Sequence, residues 1–141
     1  MPETFKVKRL TPDAIIPTRG SHHAAGYDLY CYQPIVIKPG LNTIPIGIAI
    51  AIPEGTYARI ADRSSLAKNY LLHTFAGVVD FDYRGEIVIM LYNHGDEELE
   101  LDAGSRIAQL ILEKIATPNV VEVEELNTTQ RGVGGFGSTG V

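Results

Sequence analysis

Apolar residues alternate with small or polar residues along most of this chain, with a period of two. The clearest example is IPIGIAIAI (44–52). A period of two is typical of half-buried β-strands. The same alternation predicts strands in four more segments: FKVKRL (5–10), YARIAD (57–62), EIVIMLYN (86–93) and NVVEVEEL (119–126). Turn-forming stretches such as KPGLN, PEG, DYRG, HGDE and DAGS separate these segments. Many short strands joined by regular turns indicate an all-β sandwich or barrel.

Two segments depart from this pattern. SLAKNYLL, after Ser64, predicts one short helix, capped by Ser64 or Ser65. From about Asn127 the alternation ends in NTTQRGVGGFGSTGV, which has too few apolar residues to pack on itself. We therefore predict one β domain (1–126) followed by a flexible glycine-rich C-terminal arm (127–141).

Composition restricts the possible partners. The net charge is −5, the chain has no basic run, and VEVEEL (121–126) is acidic. A general nucleic-acid binder needs a basic face, so no nucleic acid is expected, and any phosphate would be held by local N–H groups and a few arginines. One cysteine excludes an internal disulfide. The N-terminal residues have no apolar core of a signal peptide, and TIPIGIAIAIP (43–53) is too short to cross a bilayer. We expect a soluble intracellular protein with no membrane partner.

The arm carries the first candidate for chemistry, RGVGGFGSTG (131–140). Its glycines satisfy G-x-G-x-x-G, and it nearly satisfies a P-loop, with Ser138 in place of the lysine. Such loops normally place phosphate at the start of a helix, but too few residues follow here to form one. A flexible tail without a role is one interpretation. The other is a lid, with Arg131 clamping a phosphate and Phe136 stacking on a base.

Two internal stretches are the next candidates. In ARIADRSSLAKN (58–69), Arg63, Ser64 and Ser65 have the composition of an anion site, although an ordinary helix start with a surface arginine explains them equally. In AGVVDFDYRGEIVIML (76–91), DYRG predicts a tight hairpin turn. Asp80 interrupts the preceding strand and is either a general base beside an apolar surface or a solvated edge aspartate.

The last candidates are isolated polar residues among apolar neighbours. Asp28 lies in AAGYDLY (24–30), and Arg106 and Gln109 lie in GSRIAQLILE (104–113). Each is either a satisfied buried polar group or a ligand contact. The four histidines have no metal-ligand spacing with Cys31, and no G-x-S-x-G nucleophile elbow is present.

Together, these five stretches resemble the five motifs of trimeric dUTPases, in the same order and at similar spacing, from Ala25 to Gly140. The resemblance implies a jelly-roll-like β-barrel subunit, a homotrimer, and Mg²⁺-dependent hydrolysis of dUTP to dUMP and diphosphate. That activity would limit uracil incorporation into DNA and supply dUMP for thymidylate synthesis. It also implies shared active sites. One subunit supplies the first, second and fourth motifs, another the hairpin of the third motif, and a third the arm.

The resemblance also implies roles for individual residues. Asp80 would activate the attacking water, and Tyr83 would lie beneath the deoxyribose. Backbone groups of Gly77, Val78, Val79 and Val88 would bind uracil. Arg63, Ser64, Ser65 and Gln109 would contact the phosphates, and Asp28 would hold metal-bound waters. In the arm, Arg131 would reach the γ-phosphate, Phe136 would stack on the base, and Gly137 belongs to the same glycine-rich loop.

Two positions depart from the family pattern, which usually has proline before the arginine of the second motif and glycine after its serine. Here these positions are Asp62 and Ser65. Ser65 would crowd a phosphate or add a donor, and Asp62 would weaken binding unless it faces away or is paired. A dCTP deaminase relative and a nucleotide-sensing module without turnover are the alternative functions. Because Asp80, Arg131 and Phe136 are all present, the sequence favours the enzyme.

Overall fold

The computed structural model describes residues 3–140, and within this range short antiparallel strands dominate. The strands and the helix are β1 (Lys6–Arg9), β2 (Gly26–Tyr30), β3 (Ile35–Ile37), β4 (Gly40–Pro45), β5 (Ile48–Ala51), β6 (Thr56–Ala61), α1 (Ser64–Tyr70), β7 (Leu72–Phe75), β8 (Val78–Val79), β9 (Val88–Asn93), β10 (Leu99–Leu101) and β11 (Arg106–Lys114). The prediction of an all-β fold with one short helix is confirmed. No helix in this range is long and apolar enough to span a membrane.

Within residues 3–140, the strands form four sheets. The largest has the order β2-β11-β6-β8, and a three-stranded sheet has the order β4-β9-β7. Two smaller sheets pair β1 with β5 and β3 with β10. The long strand β11 pairs with both β2 and β6, so it brings the first, second and fourth motifs into one sheet.

Inward-facing aliphatic side chains of these sheets form one core. Each fully buried isoleucine or leucine contributes about 1.5–3 kcal/mol relative to an exposed one. The largest fully buried side chains are Leu29, Ile37, Ile46, Ile48, Ile87, Ile89, Leu91, Ile107 and Leu110. Their alternation with outward-facing residues explains why the period of two predicts the strands.

The predicted strand over 44–52 is divided in the structure. β4 ends at Pro45 and β5 begins at Ile48. Gly47 lies between them with a φ of 72°, a conformation that L side chains rarely adopt. Its N–H donates to Glu86 Oε2 at 2.9 Å. The chain therefore turns where the alternation alone predicts a continuous strand.

The predicted strand over 119–126 is wrong. These residues form no strand, and Val120 and Leu126 are 99% and 85% exposed. An alternating segment becomes a strand only when a neighbouring strand completes its hydrogen bonds. Within the described residues, no strand pairs with this segment. The boundary at residue 126 between domain and arm stays a prediction, although the regular elements end at Lys114.

The predicted serine cap of the helix is also wrong. Arg63 occupies the N-cap position and makes no side-chain capping bond. Ser64 is already the first residue of the helix, whereas a cap at Ser64 would have placed the first helical residue at Ser65. Leu66 is its buried residue, and Leu71 ends it in the left-handed conformation with a φ of 57°. The helix thus has a backbone C-cap and a buried Leu66 but no side-chain N-cap.

Candidate active site

A pocket of about 180 Å³ lies at the third motif. It is enclosed by β8, the start of β9 and the loop between them. Its lining residues are Ala76, Val78, Val79, Asp80, Tyr83, Glu86, Ile87 and Val88. The pocket thus brings together Val78, Val79, Asp80, Tyr83 and Val88, five of the residues whose roles in binding the base and sugar and in activating water stay a prediction.

Gly77 fixes the approach of this segment to β6. The N–H of Ile60 donates to the carbonyl oxygen of Gly77 at 2.8 Å. A Cβ on Gly77 would lie 2.6 Å from the Ile60 carbonyl oxygen, which is too close for any side chain. The preceding Ala76 has a φ of 52°. Only glycine therefore permits this close approach, which sets the position of β8 and of one wall of the pocket.

The loop after β8 is not the tight hairpin that DYRG predicts. The strand ends at Val79, so Asp80 follows it instead of interrupting it, and the Tyr83 N–H donates to the Asp80 carbonyl oxygen at 3.1 Å. β8 pairs with β6, whereas β9 pairs with β4 and β7. The two arms of the loop therefore belong to different sheets, which leaves a pocket between them.

Contacts within the loop hold Tyr83 in place. Its hydroxyl donates to the Glu86 carbonyl oxygen at 2.9 Å. Its ring lies against Gly85, where a Cβ would come within 2.6 Å of a ring carbon. Arg84 donates to the Phe81 carbonyl oxygen at 2.8 Å. Sequence reasoning missed Arg84 and Glu86, because their contacts are with backbone groups that no side-chain pattern reveals.

A second cluster lies on the sheet that contains β2, β6 and β11. The side chain of Asp28 is 15% exposed, and its carboxylate forms salt bridges with Arg63 Nε at 3.3 Å and with Arg106 Nη1 at 3.8 Å. Gln109 is opposite Asp28 on the neighbouring strand. The predicted metal-water residue and the predicted phosphate arginine are thus directly paired. Ser64 and Ser65 follow Arg63 on the exposed start of the helix.

Asp62, whose charge counts against phosphate binding, is paired in the structure. Its Oδ1 accepts from the Thr74 backbone N–H at 2.6 Å and from the Thr74 hydroxyl at 2.8 Å. Its carbonyl oxygen accepts from Gln109 Nε2 at 2.7 Å. The carboxylate is therefore directed to β7.

A hydrogen-bonded trio on β6 and β11 has shifted pKa values. Glu113 accepts from the Tyr57 hydroxyl and from Arg59 Nε, both at 2.6 Å. These bonds lower the pKa of Glu113 and raise the pKa values of Tyr57 and Arg59. Glu113 is on the same face of β11 as Gln109, four residues away. The trio therefore links β6 and β11 on the face that carries the second cluster.

The arm forms a third group of predicted residues. Arg131 Nε donates to the Gly134 carbonyl oxygen at 2.8 Å. Phe136 is fully exposed with a φ of 52°, and Gly137 has a φ of 80°. From Thr129 to Gly140, the hydrogen bonds found in the described part of the chain join residues of the arm to one another. The third-motif pocket is not lined by Arg63, by Gln109 or by any described residue of the arm. Within one chain, the predicted site residues thus lie in three places.

These features define a small all-β protein with a pocket at the edge of its main sheet. A family model for dUTPase matches residues 12–140, and the chain belongs to the dUTPase family. The deoxyuridine 5'-triphosphate nucleotidohydrolase of Arabidopsis thaliana is 56% identical over 138 residues, which is 97% of this chain and 83% of that protein. The enzyme of the same name from Yarrowia lipolytica is 51% identical over 98% of this chain and 90% of its own length.

Solved structures show the same fold. A variant of the dUTPase of Staphylococcus bacteriophage 80alpha, with dUpNHpp, superposes with a TM-score of 0.91 at 28% identity, covering 98% of this chain and 99% of that one. A dUTPase variant from phage phi11 of S. aureus, whose structure concerns the coordination of a structural Mg(II) ion, superposes with a TM-score of 0.81 at 25% identity, covering 86% of this chain and 97% of that one. The jelly-roll-like fold expected from the sequence is therefore confirmed.

Proposed function

We propose that this protein hydrolyses dUTP to dUMP and diphosphate. The observation that carries the proposal is the third-motif pocket, where Asp80 and Tyr83 lie with the edge of β8 in a chain of this family. A carboxylate beside a pocket for a base and a sugar is the arrangement that this hydrolysis requires.

The base is bound by the backbone of β8. This strand is at the end of its sheet, and in the described residues it pairs only with β6. Its other edge presents backbone N–H and C=O groups in fixed positions. We assign uracil recognition to these groups at Gly77, Val78 and Val79 and to Val88 opposite them. A base with the wrong donors and acceptors would leave buried groups unpaired, and this is the physical basis of discrimination.

The sugar and the phosphates are bound by different elements. Tyr83, fixed by its bond to the Glu86 carbonyl oxygen, packs under the deoxyribose, where a 2′-hydroxyl would collide with it. Arg63, Ser64, Ser65 and Gln109 bind the phosphates. Two hydrogen bonds hold the carboxylate of Asp62 on Thr74, so it is not free to approach the phosphates.

The residues fit a magnesium ion that is held mostly by substrate and water. Mg²⁺ in nucleotide enzymes usually keeps several waters and binds one or two carboxylates together with phosphate oxygens. In residues 3–140 no group of three or more acidic, histidine or cysteine side chains could hold a metal alone. Asp28 is the carboxylate that forms a salt bridge with Arg63, so it would bind the metal-bound waters beside the phosphates. The ion would neutralise charge on the triphosphate.

The reaction is an in-line displacement at the α-phosphorus. Asp80 orients a water molecule and accepts a proton from it as the new O–P bond forms. The bond between the α-phosphorus and the bridging oxygen breaks, and diphosphate leaves with that oxygen. Arg63 and Arg131 stabilise the charge that develops on the phosphates.

The separation of the three groups within one chain supports a homotrimer with shared sites. Phe136 and Val133 are fully exposed in the arm, and Val120 and Val121 are exposed before it. Apolar side chains in such an extended segment are stabilised by packing on another subunit. We propose that the arm of one subunit closes over a site formed by two others, with Phe136 stacked on the base and Arg131 at the γ-phosphate.

This activity would remove dUTP from the precursors of DNA and supply dUMP for thymidylate synthesis. The substrate is an intracellular metabolite, so we propose that the protein acts inside the cell. A relative in Dictyostelium discoideum, 52% identical over 140 residues, is named as mitochondrial.

The test is diphosphate release by the purified protein from dUTP, dTTP, dCTP and UTP, with and without Mg²⁺. We expect rapid release from dUTP with Mg²⁺, and much lower kcat/KM for the other three nucleotides. Release of ammonia from dCTP would instead establish a deaminase. Tight binding of dUTP without release of diphosphate would establish a sensing module.

A further inference from the structure

The strongest unassigned feature near the proposed site is the contact between Asp62 and Thr74. Both hydrogen bonds end on one carboxylate oxygen, and their lengths of 2.6 and 2.8 Å are those of charge-assisted bonds. Asp62 directly follows β6, whereas Thr74 is in β7, which belongs to the other large sheet. The contact therefore ties the end of β6 to the second sheet at the residue just before Arg63.

The backbone of Asp62 extends this connection to β11. Its carbonyl oxygen accepts from Gln109 Nε2 at 2.7 Å. The amide of Gln109 also lies against Gly26, where a Cβ would be 2.1 Å from Oε1. Gln109 is opposite Asp28, whose carboxylate binds Arg63 Nε at 3.3 Å. The contacts thus form a closed ring from Asp62 to Gln109, across to Asp28, to Arg63 and back along the chain.

We propose that Asp62 is a positioning residue for the phosphate-binding part of the site. By fixing the backbone of residue 62 on Thr74, its carboxylate holds Arg63 and Gln109 in the arrangement that receives a triphosphate. Asp62 itself does not touch the substrate. The inference depends on the proposed function, because it assumes that Arg63 and Gln109 contact phosphate.

The test compares two nucleotides in calorimetric titrations: the imido analogue dUpNHpp, which has three phosphates, and dUMP, which has one. In Asp62→Ala, the Thr74 N–H loses its acceptor. We expect the affinity for dUpNHpp to fall about tenfold, because the arrangement of Arg63 and Gln109 that receives the triphosphate is then populated in only about a tenth of the molecules. The affinity for dUMP should change by about twofold at most, because the third-motif pocket is separate from Asp62.

Two further variants distinguish positioning from general stability. Asp62→Asn keeps an oxygen that accepts both bonds, so it should restore most of the affinity for dUpNHpp. Thr74→Val removes only the hydroxyl donor, so it should give a smaller loss that is still confined to dUpNHpp. If Asp62→Ala does not fold, Thr74→Val tests the inference in its place. The control is Asp96→Ala, an exposed aspartate between β9 and β10, which should match the unmutated protein.

Equal losses for both nucleotides, or no loss in folded Asp62→Ala and Thr74→Val, would overturn the inference. Failure of the unmutated protein to bind dUpNHpp or to hydrolyse dUTP would instead overturn the proposed function. The two failures are distinguished because only the second affects the protein without substitutions.

Discussion

At the scale of single residues, Asp80 and Asp82 provide a matched pair. Both are exposed aspartates in the loop after β8, but of the two only Asp80 lines the pocket. Asp80→Asn keeps the shape and removes the base, so kcat for dUTP should fall by about 10²-fold or more while nucleotide affinity is nearly unchanged. Asp82→Asn should keep its kcat. Stopped-flow proton release and titration with dUpNHpp measure the two quantities, and a normal kcat in Asp80→Asn would remove Asp80 from the role of base.

Tyr83 gives a prediction about sugar selectivity. Its ring is held by the hydroxyl bond to the Glu86 carbonyl oxygen and by Gly85. Tyr83→Ala removes the ring, so the ratio of kcat/KM for UTP to that for dUTP should rise, while the ratio for dCTP to dUTP changes less. Tyr83→Phe keeps the ring and should stay closer to the unmutated protein. An unchanged UTP-to-dUTP ratio in Tyr83→Ala would show that Tyr83 does not select the sugar.

Cys31 is a thiol whose reactivity should be lowered by burial. It is 1% exposed, and burial raises the pKa of its thiol. Since the thiolate is the reactive form, a thiol reagent such as DTNB should react slowly with the folded protein at pH 8 and rapidly in denaturant. Fast reaction of the folded protein would contradict this burial.

At the scale of elements, the sequence predicts those strands that pack one face on the core. The alternation in β1, β6 and β9 reflects this half-burial, and the period of two alone predicts the position of these three strands. The two-residue β8 and the three-residue β3 and β10 are too short to show any period. The segment 119–126 has the period but lacks a pairing partner within the described chain. Likewise, nothing in the sequence around Asp62 indicates that Thr74, twelve residues later, donates two hydrogen bonds to its carboxylate.

The arm is the element whose removal is the most informative. In the part of the arm that the structure describes, residues hydrogen-bond to one another and no side chain belongs to the core. Truncation before Arg131 should therefore leave the melting temperature and the oligomeric state nearly unchanged, whereas kcat/KM for dUTP falls strongly. Circular dichroism, light scattering and diphosphate release measure these properties. Equal activity with and without the arm would refute its role as a lid.

At the scale of the whole molecule, the central question is which chains form one site. Asp80 lines the third-motif pocket, whereas Arg131 and Phe136 lie in an arm that bonds to itself. If each site takes Asp80 and the arm from different subunits, two inactive proteins can complement each other. One protein is truncated before Arg131 and keeps Asp80. The other carries Asp80→Asn and keeps the arm.

After the two proteins are mixed in equal amounts and allowed to exchange subunits, random assembly gives each site Asp80 from a truncated chain with a probability of one half. The same site receives an arm from an Asp80→Asn chain with a probability of one half. The mixture should therefore recover about a quarter of the activity of the unmutated protein, since in the proposed symmetric trimer the two contributions come from different chains. If one chain supplied both Asp80 and the arm to a site, every site would lack one of them and no activity would return. Native mass spectrometry establishes that exchange has occurred, so mixed trimers without recovered activity would show that Asp80 and the arm act within the same chain.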